Sequence, residues 1–473
     1  MTPMLSAETS AITLCAEGAV LHDAGDTAGA IDRYANAVAL APAVLSLHLI
    51  LANAQLLDGR TLDARATLRG ALKVALRPDA ATEFTLGKAL VDAGAGADAV
   101  QCFRRVRAEF PGDAAAACAL AAALREAHRP DEAWKEVEAA IRMTPADPVA
   151  LLTAALIRHD LSDFAGALRW CDKSLEVRPD AAGARVTRGY LRHLTGDPAG
   201  GWRDFEARPL PRPETAARPW LGEPLAGMSI LVVGEQGVGD QFQFLRFVHH
   251  PALQAAARVV VSCQPDAVSL LSASGYDAVA RDVTIATDWY VPLLSLPHVL
   301  DLDARWVGTE GPYITVPDSR TRDSSHAKRV GIVWSGNPAH RNDAARSIPS
   351  GLLDAVLHAH PGITFVCMQH GAQGDELPLL QRQPSGDWLA TARQLCALDL
   401  LVTVDTGIAH LAGALGVPTW LLVPHVPDWR WGTSGNSSPW YPSVRLFRQP
   451  SRGDWSRTLT NVSAALSAVA IGD

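Results

Sequence analysis

Small residues recur along the first 209 positions at a nearly fixed interval. Ala30, Ala64, Ala99, Ala133, Ala167 and Gly201 stand 34, 35, 34, 34 and 34 positions apart. A larger side chain follows each by four residues: Tyr34, Leu68, Phe103, Val137, Cys171 and Phe205. Twelve residues before each small position lies another one: Gly18, Ala52, Gly87, Ala121, Ala155 and Gly189. Residues four apart share a helix face, so each unit predicts two helices that approach closely at their small residues. Prolines at 42, 78, 111, 145 and 179 close the second helix of each unit, because proline cannot continue one. Ala24-Gly25-Asp26, Gly59-Arg60 and Gly196-Asp197 are the turns between helices.

A different pattern begins at 228, where short apolar runs alternate with helical stretches. Strands are expected at Ile230 to Val233, Val259 to Ser262 and Trp289 to Val291, with helices at 240–257 and 265–273. After a polar stretch from Asp318 to Lys328, strands follow at Val330 to Trp334, Ile363 to Met368, Leu400 to Val404, Thr419 to Val423 and Val444 to Phe447. Helices at about 350–358, 389–397 and 407–415 fit between them. Five prolines between 209 and 224 make the preceding segment non-helical and stiff, a linker that fixes the array against the next domain. The chain thus divides into a helical array (1–208, about six units), a proline-rich linker (209–227), a first α/β half (228–320) and a second (328–473). The fold class is α plus α/β, the latter as two Rossmann-like domains facing a cleft, with ligands at the carboxyl ends of the strands.

A period of 34 resembles the tetratricopeptide repeat, and five agreeing spacings make the resemblance specific. It implies a right-handed superhelix whose concave face holds an extended peptide or a partner protein. Within it, His48, Trp134 and Trp170 read as packing residues. With 48% hydrophobic and 19% charged residues, the 473-residue chain has the composition of a soluble protein of two or three domains. A net charge of −8 and a pI near 6.0 give no general attraction to nucleic acid or to anionic membranes. Seven scattered cysteines without a CxxC pair suggest neither a disulfide framework nor a zinc site. No apolar run is long enough to span a bilayer and no secretory leader is legible, so the expected compartment is the cytoplasm.

Three loops fall at the carboxyl edge of the expected strands. In Ile230 to Phe247, a buried strand runs into glycines 234, 237 and 239, with Gln236 among them and Asp240 at the mouth of the next helix. Residues 334–349, WSGNPAHRNDAARSIP, bring Arg341 and Arg346, either able to hold a phosphate through a bidentate fork. In Val404-Asp405-Thr406-Gly407-Ile408-Ala409-His410 a strand stops and a helix starts, exposing N–H groups whose dipole is worth about 0.3–2 kcal/mol to an anion. Each loop taken singly has a plain explanation: Asp405 as a helix cap, the glycines as turns, His410 as a core residue, the arginines as solvated surface. Their shared edge points to a cleft. Trp429, Trp431, Trp440 and Tyr441 line a further loop, where their rings either stack on a base or sugar or pack between domains.

EQGVGDQFQFLRF, VGIVWSGNPAHRNDAARSIP and LVTVDTGIAHLAGALGVPTWLLVPHVPDWRW, in this order, resemble glycosyltransferase family 9, which includes the bacterial heptosyltransferases. The likeness is strongest to bacterial fusions of tetratricopeptide repeats with such a domain. The resemblance implies a GT-B fold, a nucleotide-sugar donor, inversion at the anomeric carbon, no metal, no cofactor, and a final helix crossing back over the domains. Asp240 matches the family's candidate general base, beside the acceptor-side loop of Gln236, Gly237 and Gly239. Arg346 matches a cationic position that contacts donor phosphate, and Asp405, Thr406, Gly407 and His410 match the donor-binding turn. Arg346 stands where heptose-transferring members have lysine, which leaves the sugar open. By similarity to O-GlcNAc transferases, the repeats imply a protein serine or threonine as acceptor, with flagellin or another surface protein among those suggested. The alternative is a tetratricopeptide adaptor whose transferase-like domain is inactive. A dinucleotide oxidoreductase is disfavoured, since Phe242 stands where the fingerprint needs glycine and Ser262-Cys263-Gln264 lacks the ribose-binding acid.

Overall fold

The computed structural model describes residues 2–74, 79–302, 311–317, 328–340, 342–369, 377–382 and 386–471. The chain divides into two compact units, Met1–Ala181 and Ala182–Asp473. The first consists of paired helices, from Thr2–Asp23 and Thr27–Leu40 to Pro148–Asp160 and Phe164–Val177. Second helices end at Leu40, Glu109, Met143 and Val177, each two residues ahead of its proline; Pro78 lies outside the described residues. Ala30, Ala64, Ala99, Ala133 and Ala167 are wholly buried. The other small position has a steric cause: a Cβ on Gly18 would stand 2.6 Å from the Tyr34 ring, and one on Gly87 2.8 Å from that of Phe103. The carboxylates of Asp26 and Asp163 cap second helices by accepting from the N–H groups of Gly29 and Gly166 at 2.9 and 2.8 Å.

The second unit takes in the sixth helical pair, Ala182–Thr195 and Pro198–Phe205. Asp204, buried between them, accepts from Arg188 Nε and Arg192 Nη1 at 2.7 Å each. Strands β1 (Arg218–Pro219), β2 (Ser229–Val233), β3 (Arg258–Cys263), β4 (Asp277–Ala280) and β5 (Trp289–Pro292) form a parallel sheet in the order β1-β5-β2-β3-β4. A second parallel sheet holds β6 (Arg329–Val333), β7 (Thr364–Cys367), β8 (Gln381–Arg382), β9 (Leu400–Val404), β10 (Thr419–Val423) and β11 (Val444–Arg448), in the order β11-β10-β9-β6-β7-β8. Ile230 and Val232 of the first sheet and Val330, Ile332, Val402 and Val404 of the second belong to one apolar core.

The sheets depart from expectation at their edges. β1 arises inside the proline-rich segment, which is therefore not a free-standing linker along its whole length. Arg218 N donates to Asp288 O at 3.1 Å and Trp220 N to Tyr290 O at 2.8 Å, so Pro219 falls where the ladder needs no donor. β4 and β8 are short and weakly apolar, and periodicity does not mark them. The helix expected over 240–257 is broken into Val238–Phe244, a 3₁₀ turn at Leu245–His249 and Pro251–Gln254. Pro251 forces His250 into an extended conformation, with ψ 137°. The last helix, Trp455–Ile471, expected to cross back over the first half, has its main packing on helix Ser350–His358 and β11 of the second sheet. The polar stretch expected to separate the halves lies, over 318–327, outside the described residues.

Candidate functional site

At the end of β2 the chain enters the glycine loop through Gly234 and Glu235. Glu235 is buried and accepts both arms of the Arg208 fork, at 2.9 and 2.7 Å. Gln236 adopts a left-handed φ of +56°, a conformation that a residue with a side chain occupies at a cost. Its carbonyl accepts from Arg281 Nη2 at 2.9 Å. Helix 238–244 then starts, and Asp240 Oδ2 accepts from Gly237 N at 3.1 Å, closing the helix mouth with the carboxylate near the positive end of the dipole.

At the end of β9, Asp405 stands before helix Gly407–Ala414. Arg346 Nη1 donates to the Asp405 carbonyl at 3.0 Å, fastening the turn from the neighbouring loop. Burial, and next the nearby Asp428, push the Asp405 carboxyl up to about 6, against the Trp431 indole N–H and the pull of Arg430 and Arg346. Burial likewise drives His410 well below the ordinary histidine range, with Arg430 and Arg246 adding. The ring is therefore neutral, and its Nε2, 3.8 Å from Asp405 Oδ1, makes no ion pair. Nδ1 lies 2.9 Å from Tyr441 Oη and the ring stacks on Trp431 with centroids 5.4 Å apart.

The two junctions abut. A Cβ on Gly239 would stand 3.0 Å from Gly407 Cα and 3.1 Å from His410 Cδ2, so the glycines let the two helix N-termini meet backbone to backbone. Across this contact reaches Arg430, on the loop after β10. Its Nη2 donates to Asp240 Oδ1 at 2.5 Å, its Nη1 to Asp428 Oδ1 at 3.0 Å and its Nε to Gln243 Oε1 at 2.5 Å. The Trp431 indole N–H faces the Asp405 carboxylate, while Thr406 Oγ1 and Gln243 Nε2 are buried without a hydrogen-bond partner. An acceptor-rich ligand would satisfy them.

Of the residues expected at the site, Asp240, Gly239, Arg346, Asp405, Thr406, Gly407 and His410 converge. Gly237 caps the helix start and Gln236 turns its carbonyl to Arg281; Arg341 lies outside the described residues. Asp240, expected at the mouth of the helix, stands there and is ion-paired with Arg430. Sequence reasoning missed Arg430, Asp428, Gln243 and His340. A cation between two tryptophans after a strand end was the available signal for Arg430. Burial lowers His340, with Arg346 adding and the acids Asp343, Asp428 and Asp240 opposing. Its Nδ1 accepts from Asn342 N at 3.2 Å, so the neutral ring carries its proton on Nε2.

The aromatic loop resolves toward packing, with Trp431, Trp440 and Tyr441 buried. Trp429 packs against His193 and Trp202 of the sixth helical pair, with centroids 4.6 and 5.5 Å apart, and Tyr190 Oη donates to Pro427 O at 3.4 Å. The last pair thereby supports the loop that carries Arg430. A cavity of about 860 Å³ opens beside the glycine loop of the first junction, lined by Leu231, Val233, Gly234, Glu235, Gln236 and Arg281.

Comparison with known proteins bears on the array first. The tetratricopeptide repeat matches residues 15–81, 84–148 and 118–184. Tetratricopeptide repeats build the N-terminal region. The chain is 25% identical to Protein FlbA of Caulobacter vibrioides over 471 aligned positions, covering 78% of this chain and 75% of that one. Among solved structures, YrrB, a tetratricopeptide repeat protein with an unusual peptide-binding site, is 20% identical and matches with a TM-score of 0.29, over 37% of this chain and 89% of its own. A tetratricopeptide repeat protein from Parabacteroides merdae is 16% identical, with a TM-score of 0.33, over 42% of this chain and 78% of its own. Among the described residues, no helix is long and apolar enough to cross a membrane.

Proposed function

We propose that this protein is an inverting glycosyltransferase of GT-B type, acting in the cytoplasm, that moves a sugar from a nucleotide donor to a hydroxyl of a polypeptide held by the repeats. One observation carries the reading: two strand-to-helix junctions, from two parallel sheets, meet at Gly239 and Gly407 with a carboxylate on one side and a phosphate-ready turn on the other. In this scheme Asp240 accepts the proton of the acceptor hydroxyl as its oxygen bonds to the anomeric carbon. The bond from that carbon to the diphosphate breaks, and the electron pair leaves with the nucleoside diphosphate. The N–H groups at Thr406 and Gly407, with Arg346 beside them, stabilise the departing charge. A serine or threonine of a protein is the proposed acceptor, flagellin and other surface proteins being the substrates to try first.

A thermal-shift screen of nucleotide sugars tests this, because a donor at 100 times its Kd adds about 2.7 kcal/mol of stability. A panel covering uridine, guanosine, adenosine and cytidine donors that shifts nothing would sink the transferase reading. The second reading, an adaptor with an inactive transferase-like domain, draws on the pairing of Asp240 with Arg430. It requires the protein to bind a polypeptide partner with no response to any donor.

A further inference from the structure

The described charges at the junctions do not balance. Asp240, Asp343, Asp405 and Asp428 share two guanidiniums, those of Arg346 and Arg430, and the third cation nearby, Arg246, is held by the Trp440 carbonyl and Tyr313. An anion arriving at the start of helix 407–414 therefore meets more carboxylate than cation unless one guanidinium changes partner. Arg346 is fixed by the Asp405 carbonyl and Asp343, and a Cβ on Gly336 would stand 2.6 Å from its Nε and Nη2. Arg430 holds two carboxylates at once. Beside it Gln243 Nε2 is a buried donor without a partner, on a residue 0% exposed, and donors are what an anion takes. Its backbone is pinned by the Tyr190 bond to Pro427 and by the packing of Trp429, so a change of partner needs only side-chain rotation.

We infer that Arg430 is an exchangeable clasp: it holds Asp240 Oδ1 until an anionic donor claims the guanidinium, and so makes donor binding the event that frees the base for the acceptor. The inference rests on the reading of Asp240 as base and of the cleft as a diphosphate site. It explains why a carboxylate intended for proton transfer is covered by a cation from the opposite half.

Calorimetry on the full chain, with inorganic pyrophosphate and with UDP, GDP, ADP and CMP as probes, separates the possibilities. Removing the competing carboxylate in Asp240→Asn should tighten a probe about tenfold, and Arg430→Gln should weaken it about tenfold or more. In the Arg430→Gln background, Asp240→Asn should then change affinity by less than about twofold, since the two residues act through one contact. Arg430→Lys, which keeps charge but loses the fork, should fall between wild type and Arg430→Gln, and serves if the latter fails to fold. Equal tightening by Asp240→Asn in both backgrounds would mean simple relief of repulsion and would overturn the clasp, as would no tightening at all in the wild-type background. Binding that ignores Arg430 overturns the clasp alone. Wild type that binds no probe overturns the diphosphate reading and the clasp with it.

Discussion

The two junctions are built alike and behave differently. Each is a buried strand, a glycine and the first turn of a helix, with an aspartate at the turn. Asp240 sits inside its helix, bonded to the N–H of Gly237 and to a guanidinium from the other half. Asp405 precedes its helix, half-buried beside a neutral histidine and a tryptophan, with its carboxyl pushed up to about 6. Local architecture alone therefore does not assign chemistry. What distinguishes the two carboxylates is where the nearest cation is anchored: Arg430 bonds the Asp240 carboxylate, whereas Arg346 bonds the Asp405 carbonyl.

The largest expected effect falls on the first junction. Asp240→Asn keeps the shape and removes the proposed base, and on the transferase reading should cost on the order of 10²–10⁴ in transfer rate with the circular dichroism spectrum and Tm close to wild type. Turnover near the wild-type rate would take the base role away from Asp240. At the second junction the signature is stability against pH. A carboxyl raised from its ordinary 3.8 to about 6 binds its proton more readily in the folded protein than in the unfolded one, so its contribution to stability is lost as pH rises from about 4 through 6. Asp405→Asn should thus be more stable than wild type at pH 8, by up to about 3 kcal/mol, since each tenfold change in proton affinity is worth about 1.36 kcal/mol, with the gap closing toward pH 4. Denaturant titrations at pH 8, 6 and 4 read this directly, and a gap that widens on acidification contradicts the assignment.

The contact between the junctions is the next target. Gly239→Ala places a methyl 3.0 Å from Gly407 Cα, against backbone that yields little, and should cost about 1–3 kcal/mol by overpacking. Gly237→Ala meets only the Asp240 carboxylate at 3.3 Å and should cost less. Comparable losses from both would show that the meeting of the helices is not the constraint. The smallest change is Thr406→Val. Its hydroxyl is buried and unpartnered, so stability should move by less than about 1 kcal/mol while probe affinity falls about tenfold. An affinity equal to wild type would remove Thr406 from the donor turn.

Much of this was legible because it is periodic or punctuated. The repeat spacing located the helical pairs, since Ala30, Ala64, Ala99, Ala133 and Ala167 are buried for the steric reason the spacing implied. Both glycine junctions announced themselves as apolar runs ending in turns. Arg430 did not, because its role depends on Asp240 lying 190 residues away in sequence, and no local pattern encodes such a contact. β1 was hidden for a related reason: Pro219 argues against a strand unless the ladder registers its neighbours as the donors, which only the pairing with β5 shows.

The placement of the sixth helical pair sets how portable the second unit is. Arg208 immediately follows that pair and its fork neutralises the buried Glu235; without Arg208 that carboxylate stays buried and uncompensated, a loss of about 3–5 kcal/mol. Trp202, His193 and Tyr190, which wall the Arg430 loop, would leave with the pair as well. A chimaera joining this unit to a foreign repeat array should therefore be spliced at Ala181, keeping the last pair with the two sheets and exchanging only the repeats before it.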